Sequence, residues 1–172
     1  MPPEAPEPKR PWRAALVFVL TFVVLQSLWG QARGSALERL WIDIATVKAA
    51  VALIDLVSPE LQAVAQGSRI KAPGGGINIL NGCEGTDVLF LLAAAFLAFP
   101  MPWRSRLAGF GLGLVLVYLL NEARILALFY AYRSDRALFD LLHGLVAPLV
   151  LIAAAAAYFY AWAYRQGLAE SA

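Results

Sequence analysis

The stretch Ile77–Pro100, INILNGCEGTDVLFLLAAAFLAFP, decides how the chain is read. It begins polar and glycine-containing, turns apolar after Asp87, and stops at a proline. Thr86 or Asp87 is expected to cap a helix that runs to Phe99. An apolar helix of about 14 residues is short for a bilayer, which takes roughly 20. Its polar end should therefore lie below the membrane surface, and it carries Cys83, the only cysteine in the chain.

The composition around this stretch belongs to an integral membrane protein. Hydrophobic residues make up 60% of the 172, and mean hydropathy is +0.65, beyond the usual range of a soluble domain. A formal charge of +2 with no basic stripe gives no support to nucleic-acid binding. One histidine cannot build a histidine-cluster metal site, and no cofactor motif is present. The triplet Gly74-Gly75-Gly76 lacks the Lys-Ser or Lys-Thr that a phosphate loop needs. A single cysteine excludes an internal disulfide. Cys83 is then a small buried apolar residue, half of an intermolecular bond, or a reactive thiol.

Outward from Cys83, the pattern gives an all-α membrane protein of about four spans. Residues 1–13, rich in proline and charge, are expected to be disordered and cytoplasmic. Spans are placed at about 14–30, 86–100, 107–132 and 141–164, with an extracytoplasmic segment at 31–85 and a cytoplasmic tail at 166–172. Lys9, Arg10 and Arg13 before the first apolar run set the N-terminus inside. A cleaved signal peptide is the rival reading of that run, with Ala32, Gly34 and Ala36 as small residues nearby. Trp103, Arg104 and Arg106 read as a cytoplasmic turn, and Arg133 to Asp140 as a brief external loop. The active end would face the extracytoplasmic side of the cytoplasmic (inner) membrane.

Within 31–85, residues 36–57 read as an amphipathic helix with Leu37, Leu40, Trp41, Ile44, Val47, Val51 and Ile54 on one face. Its charges make it a poor span, so it lies on the surface or packs on the bundle. Arg69-Ile70-Lys71 and Ile77–Leu80 form a hairpin-like pair about the Pro73-Gly74-Gly75-Gly76 turn.

Three polar groups then fall at one depth. At about 1.5 Å per residue from Leu107, Arg124 stands roughly 26 Å up a hydrocarbon layer of about 30 Å. Asn121 lies one turn below on the same face. His143 opens the last span and Cys83 precedes the second. A thiolate is a nucleophile whose pKa falls beside a cation or a helix start. A histidine can take and return its proton near neutral pH, and an arginine can donate to a developing oxyanion. Glu84 and Asp87 oppose the thiolate, so they should point away or bind arginines; Glu122 pairs with Arg124 or Arg133; Asp140 orients His143. Taken singly, each residue also has a bland reading: inert packing for the cysteine, a satisfied helix-start polar residue for the histidine, helix–helix glue for Arg124 and Asn121.

The residues that carry a family likeness are Gly82-Cys83-Glu84-Gly85, the apolar run ending Ala98-Phe99-Pro100, Asn121-Glu122-Ala123-Arg124-Ile125, and His143. Their order (C-x-G, one span, N-x-x-R in the next, H leading the last) resembles the exosortase/archaeosortase family from about Gly75 to Trp162. The compact length, PWRSRLAGFGLG and LFDLLHGLVAP look most like the short exosortases, M type first and H type second. The resemblance implies a membrane cysteine peptidase or transpeptidase. Such an enzyme cleaves the C-terminal sorting tail of exported proteins, a short motif often Pro-Glu-Pro followed by a transmembrane helix and a basic end. It implies Cys83 as nucleophile forming a thioester, Arg124 as transition-state stabiliser and His143 as acid/base, with Asn121, Glu84, Gly85 and Asp140 in support. The expected partners are that tail, the lipid bilayer, and an amine or water acceptor. Typical members have around eight spans, and residues 1–74 match weakly. A non-catalytic assembly or export factor for exopolysaccharide or surface proteins is the alternative, and a small carrier holding an anionic head group on Arg124 is a third.

Overall fold

A computed structural model describes residues 11–80 and 82–167. The expected disorder of residues 1–13 lies outside them except for 11–13, which form the first turn of a helix; residues 168–172 of the expected tail also lie outside. The described residues are mostly helical, with one small sheet. Helices α1 (Pro11–Gln31), α5 (Trp103–Ser134) and the continuous α6–α7 run (Arg136–Arg165) are long and apolar enough to cross a membrane. Helix α4 (Thr86–Ala98) is apolar but has 13 residues, a reach of about 20 Å. Three helices of spanning length and one shorter apolar helix thus stand where four spans were expected.

The helices alternate in direction. The end of α1 meets the start of α4, where Gln26 Nε2 donates to Asp87 Oδ1 at 2.8 Å. At the opposite pole the end of α7 (Ala147–Arg165) meets the start of α5: Tyr158 donates to the Gly109 carbonyl at 2.6 Å and Trp162 to Ser105 Oγ at 3.2 Å. Close approach there depends on two glycines. A Cβ on Gly109 would sit 2.5 Å from Phe96, and one on Gly113 would sit 2.6 Å from Leu92. Val88, Leu92, Phe96, Val117, Leu151 and Ala155 fill the apolar core between α4, α5 and α7.

A second apolar core lies beyond the first, at the end of the bundle where α1 stops and α4 starts. Helix α5 has 32 residues, about 48 Å against a hydrocarbon layer of about 30 Å, so its last turns leave the bundle and enter this cap. Ile125, Leu128 and Phe129 of α5 pack there with Ile42, Val47, Ala50, Ile54, Ile70 and Ile79. Residues 36–57 are helical as expected: α2 (Ala36–Arg39), a π-helical stretch Leu40–Lys48, and α3 (Ala49–Val57). The buried face differs. Ile42, Thr46, Val47, Ala50 and Ile54 are inside, whereas Leu37, Leu40 and Ile44 are exposed. The widened π turn shifts the phase that a 3.6-residue repeat assumes. The helix is packed on the bundle: Tyr118 donates to the Ala45 carbonyl at 2.6 Å and Tyr130 to Ser58 Oγ at 3.0 Å.

The sheet has three strands in the order β1-β2-β3, all antiparallel. Strands β2 (Arg69–Lys71) and β3 (Ile77–Asn78) are the expected pair, with Ile70 opposite Ile77. Strand β1 (Val64–Gln66) was not expected; a two-residue turn with Gly67 at φ +56° joins it to β2. The glycine turn is held from α5, where Arg133 Nη1 donates to the carbonyls of Pro73 at 2.8 Å and Gly75 at 3.2 Å. Gly76 tolerates no side chain, because a Cβ would overlap the Ile70 carbonyl. Gly76→Ala is expected to cost about 1–3 kcal/mol, measurable as a lower midpoint of thermal unfolding in detergent.

Two connections are tighter than the sequence suggested. Arg133 to Asp140 is not a loop: α5 runs to Ser134, and Asp135 accepts from Ala137 N and Leu138 N to start α6 (Arg136–Leu141) at once. An N-cap aspartate satisfies the free amides of the new helix in a single residue. Trp103, Arg104 and Arg106 likewise belong to the first turn of α5, leaving only residues 99–102 as the turn.

Candidate functional site

The turn Gly82-Cys83-Glu84-Gly85 sits on the seam between the two cores. It is built on left-handed backbone, Gly82 at φ +96° and Gly85 at φ +80°. Gly85 is the residue that precedes α4, so neither Thr86 nor Asp87 caps the helix by its side chain. A Cβ on Gly85 would lie 2.9 Å from Asn121 Cγ, so the turn and α5 meet where only glycine fits. Asn121 is buried against this contact, and its Oδ1 has no partner.

Glu84 anchors the turn from behind. It is 2% exposed, and its Oε1 accepts from Trp29 Nε1 of α1 at 3.0 Å and from Thr86 Oγ1 at 2.9 Å. Its backbone carbonyl accepts from Trp41 Nε1 at 3.3 Å. The carboxylate thus faces α1 rather than the thiol, and Asp87 is taken by Gln26. Neither carboxylate binds an arginine through any hydrogen bond of the described residues. Sequence reasoning missed Trp29, which lies within the first apolar run, and Trp41, which it placed only on the apolar face of residues 36–57.

Cys83, Arg124 and His143 come together in front of the turn. Arg124 Nη2 lies 3.8 Å from Cys83 Sγ, and His143 Nδ1 lies 3.8 Å from the same sulfur. Arg124 is 9% exposed, Cys83 half-buried and His143 exposed. The three come from the α4-preceding turn, the middle of α5 and the π-helical stretch Leu142–Val146 that joins α6 to α7. Phe139, one turn before His143, stacks on its ring at a 5.4 Å centroid distance and 4° between planes. This four-residue spacing on a helix was available from sequence, but Asp140 was chosen instead. Asp140 is exposed, and among the described residues no hydrogen bond joins it to His143. The expected Glu122 pairing is also absent. Glu122 is 3% exposed, with neither carboxylate oxygen partnered; two steps along α5 it stands about 200° round the helix from Arg124, which faces the thiol.

The order of the Cys, Arg and His elements and their meeting at one end of the bundle agree with a family match. Residues 6–161 match the family described as Transmembrane exosortase (Exosortase_EpsH). The chain belongs to the transmembrane exosortase family. No curated protein and no solved structure matches it significantly. The match is to the family as a whole, and the choice between the short M and H types stays an expectation from sequence. This exosortase brings Cys83, Arg124 and His143 together from three separate elements, and among the described residues no cluster of His, Cys, Asp and Glu is arranged to hold a metal ion.

Electrostatics at the exosortase thiol pull both ways. Burial pushes the Cys83 pKa up, the Arg124 charge and hydrogen bond pull it down, and Glu84 and Asp87 push it up; the net direction is above the ordinary cysteine range. The group is therefore a neutral thiol at pH 7 and gains its thiolate only as pH rises. Alkylation of Cys83 by iodoacetamide should be slow at pH 7 and accelerate continuously through pH 9. Arg124→Gln removes the opposing cation, so its rate should be lower than wild type at each pH. A rate that levels off below pH 8 would contradict this balance.

Proposed function

We propose that this exosortase is a cysteine peptidase or transpeptidase acting on the C-terminal tail of exported proteins at the outer face of the cytoplasmic membrane. The observation that carries the reading is the sulfur of Cys83 held between Arg124 and His143, 3.8 Å from each. Family membership supports it, as does the position of the turn at the head of the short helix α4.

The chemistry follows from the groups present. His143 Nδ1 takes the Sγ proton as sulfur attacks the scissile carbonyl, which answers the high pKa of a thiol that ionises poorly alone. The Arg124 guanidinium donates to the oxyanion that forms. As the carbon–nitrogen bond breaks, the imidazolium returns its proton to the leaving amine, and Cys83 carries the upstream protein as a thioester. Water or an amine acceptor then attacks the thioester, His143 removing the acceptor's proton, and the thiol is released. The exposure of His143 suits an acceptor arriving from outside the bundle.

The test is co-expression with a protein bearing a motif, helix and basic tail from the same genome, read as a mobility shift. Wild type should trim the tail, whereas Cys83→Ala, Arg124→Ala and His143→Ala, each inserted and folded, should leave it intact. Trimming by Cys83→Ala at the wild-type rate would end the peptidase reading in favour of a non-catalytic assembly factor.

A further inference from the structure

Arg124 has a second surface besides the one facing the thiol. The residue also lines a cleft of about 260 Å³ between α5 and the α6–α7 run. Ala123 and Ala127 of α5 line it from one side and Val146, Ala147 and Val150 from the other. Ala123, Ala127, Val146 and Val150 are exposed, so the cleft opens toward lipid. Arg124 itself is 9% exposed, and its Nε has no acceptor. A buried guanidinium donor left unpaired costs stability until an oxygen reaches it.

We infer that this cleft is the docking groove for the apolar helix of the substrate tail, with Arg124 linking the docked helix to the thiol. The inference rests on the peptidase reading and names where that substrate sits. Three observations select a peptide helix as occupant. The groove starts at the site, beside Arg124 and Leu142, and runs down both helices away from it through Leu120 and Leu151; a tail cut just before its helix enters the bilayer in that direction. Its walls carry small and branched apolar side chains in rows three to four residues apart, the pattern that receives the side-chain knobs of a helix in lipid. Its one charged residue, Arg124, also lies 3.8 Å from Cys83 Sγ, which ties the groove to the thiol. A second apolar cavity of the same volume, walled by Phe18, Leu91, Ile152 and Ala156, is lined by apolar residues alone and shares none of them with the site, so it serves as the control surface.

The chain has a single cysteine, so a Cys83→Ser background frees every other position for disulfide mapping. Val150→Cys or Ala147→Cys would be paired with a cysteine scan along the substrate's tail helix, and Leu91→Cys and Ala156→Cys would report the control cavity. Oxidation should join Val150→Cys to tail positions repeating every three to four residues and leave the control cysteines unjoined. Separately, Val150→Trp should lower trimming on the order of tenfold or more while leaving Cys83 alkylation unchanged. Crosslinks only to the control cysteines, no crosslinks at all, or full trimming by Val150→Trp would overturn the groove assignment while wild type still trims the tail. Failure of wild type to trim any such tail would instead overturn the peptidase reading, and the groove with it.

Discussion

Cys83→Ala is expected to abolish tail trimming while the protein still inserts and folds. The thiol forms the covalent bond in the proposed reaction, and no other cysteine exists to replace it. The structural cost should be small, since Cys83 is half-buried and its backbone conformation is set by the flanking glycines at positive φ. Cys83→Ser separates two ideas. A hydroxyl keeps the volume but is far less acidic than a thiol, and neither Arg124 nor His143 touches it at bonding distance in a geometry spaced for sulfur. Trimming by Cys83→Ser should therefore also fall below detection. The measurement is the fraction of tail-bearing protein shifted on a gel after co-expression, with membrane insertion checked by protease protection. An anionic-lipid carrier would keep full function in both variants.

Arg124→Ala carries the second large effect, a fall on the order of 100- to 1,000-fold in trimming rate, the range for loss of an oxyanion donor. Arg124→Lys should recover little of it. A lysine keeps the charge that favours the thiolate but loses the planar fork that reaches the sulfur. The two substitutions should thus differ clearly in Cys83 alkylation, where charge matters, and scarcely in trimming, where geometry matters. Equal trimming by Arg124→Lys and wild type would reduce the role of Arg124 to a point charge. The half-life of the accumulated thioester, followed by mass spectrometry, would show whether the loss falls on acylation.

The burial of Arg124 explains why its geometry is so specific. It stands where the bundle core ends at Val117 and Leu120 and the cap core begins at Ile125 and Leu128. Packed residues on both sides fix the helix, and Gly85 against Asn121 sets the distance between α5 and the cysteine turn. Glu84 holds that turn to α1 and to the π-helical segment through two tryptophans. A change at either tryptophan would loosen the thiol without touching it.

The sequence alone determined the membrane character and the helical class, and it set Cys83, Arg124 and His143 at a common height, where the structure brings them together. Those properties are one-dimensional: apolar length compares directly with bilayer thickness, and helix rise converts residue number into height. The Ile70–Ile77 strand pair was legible for a similar reason, since a glycine-rich turn between short apolar runs is local chemistry. The lateral arrangement was not legible. The periodicity of residues 36–57 assumed 3.6 residues per turn, and the π-helical stretch rotated the buried face to Ile42 and Thr46. Asp140 was expected to orient His143, yet the residue that stacks on His143 is the ring of Phe139. The expected Glu122 pairing failed because two steps along a helix turn a side chain about 200°, away from Arg124. Height along a helix is written in the chain. Which face meets which neighbour is decided only when α4, α5 and the cap pack together.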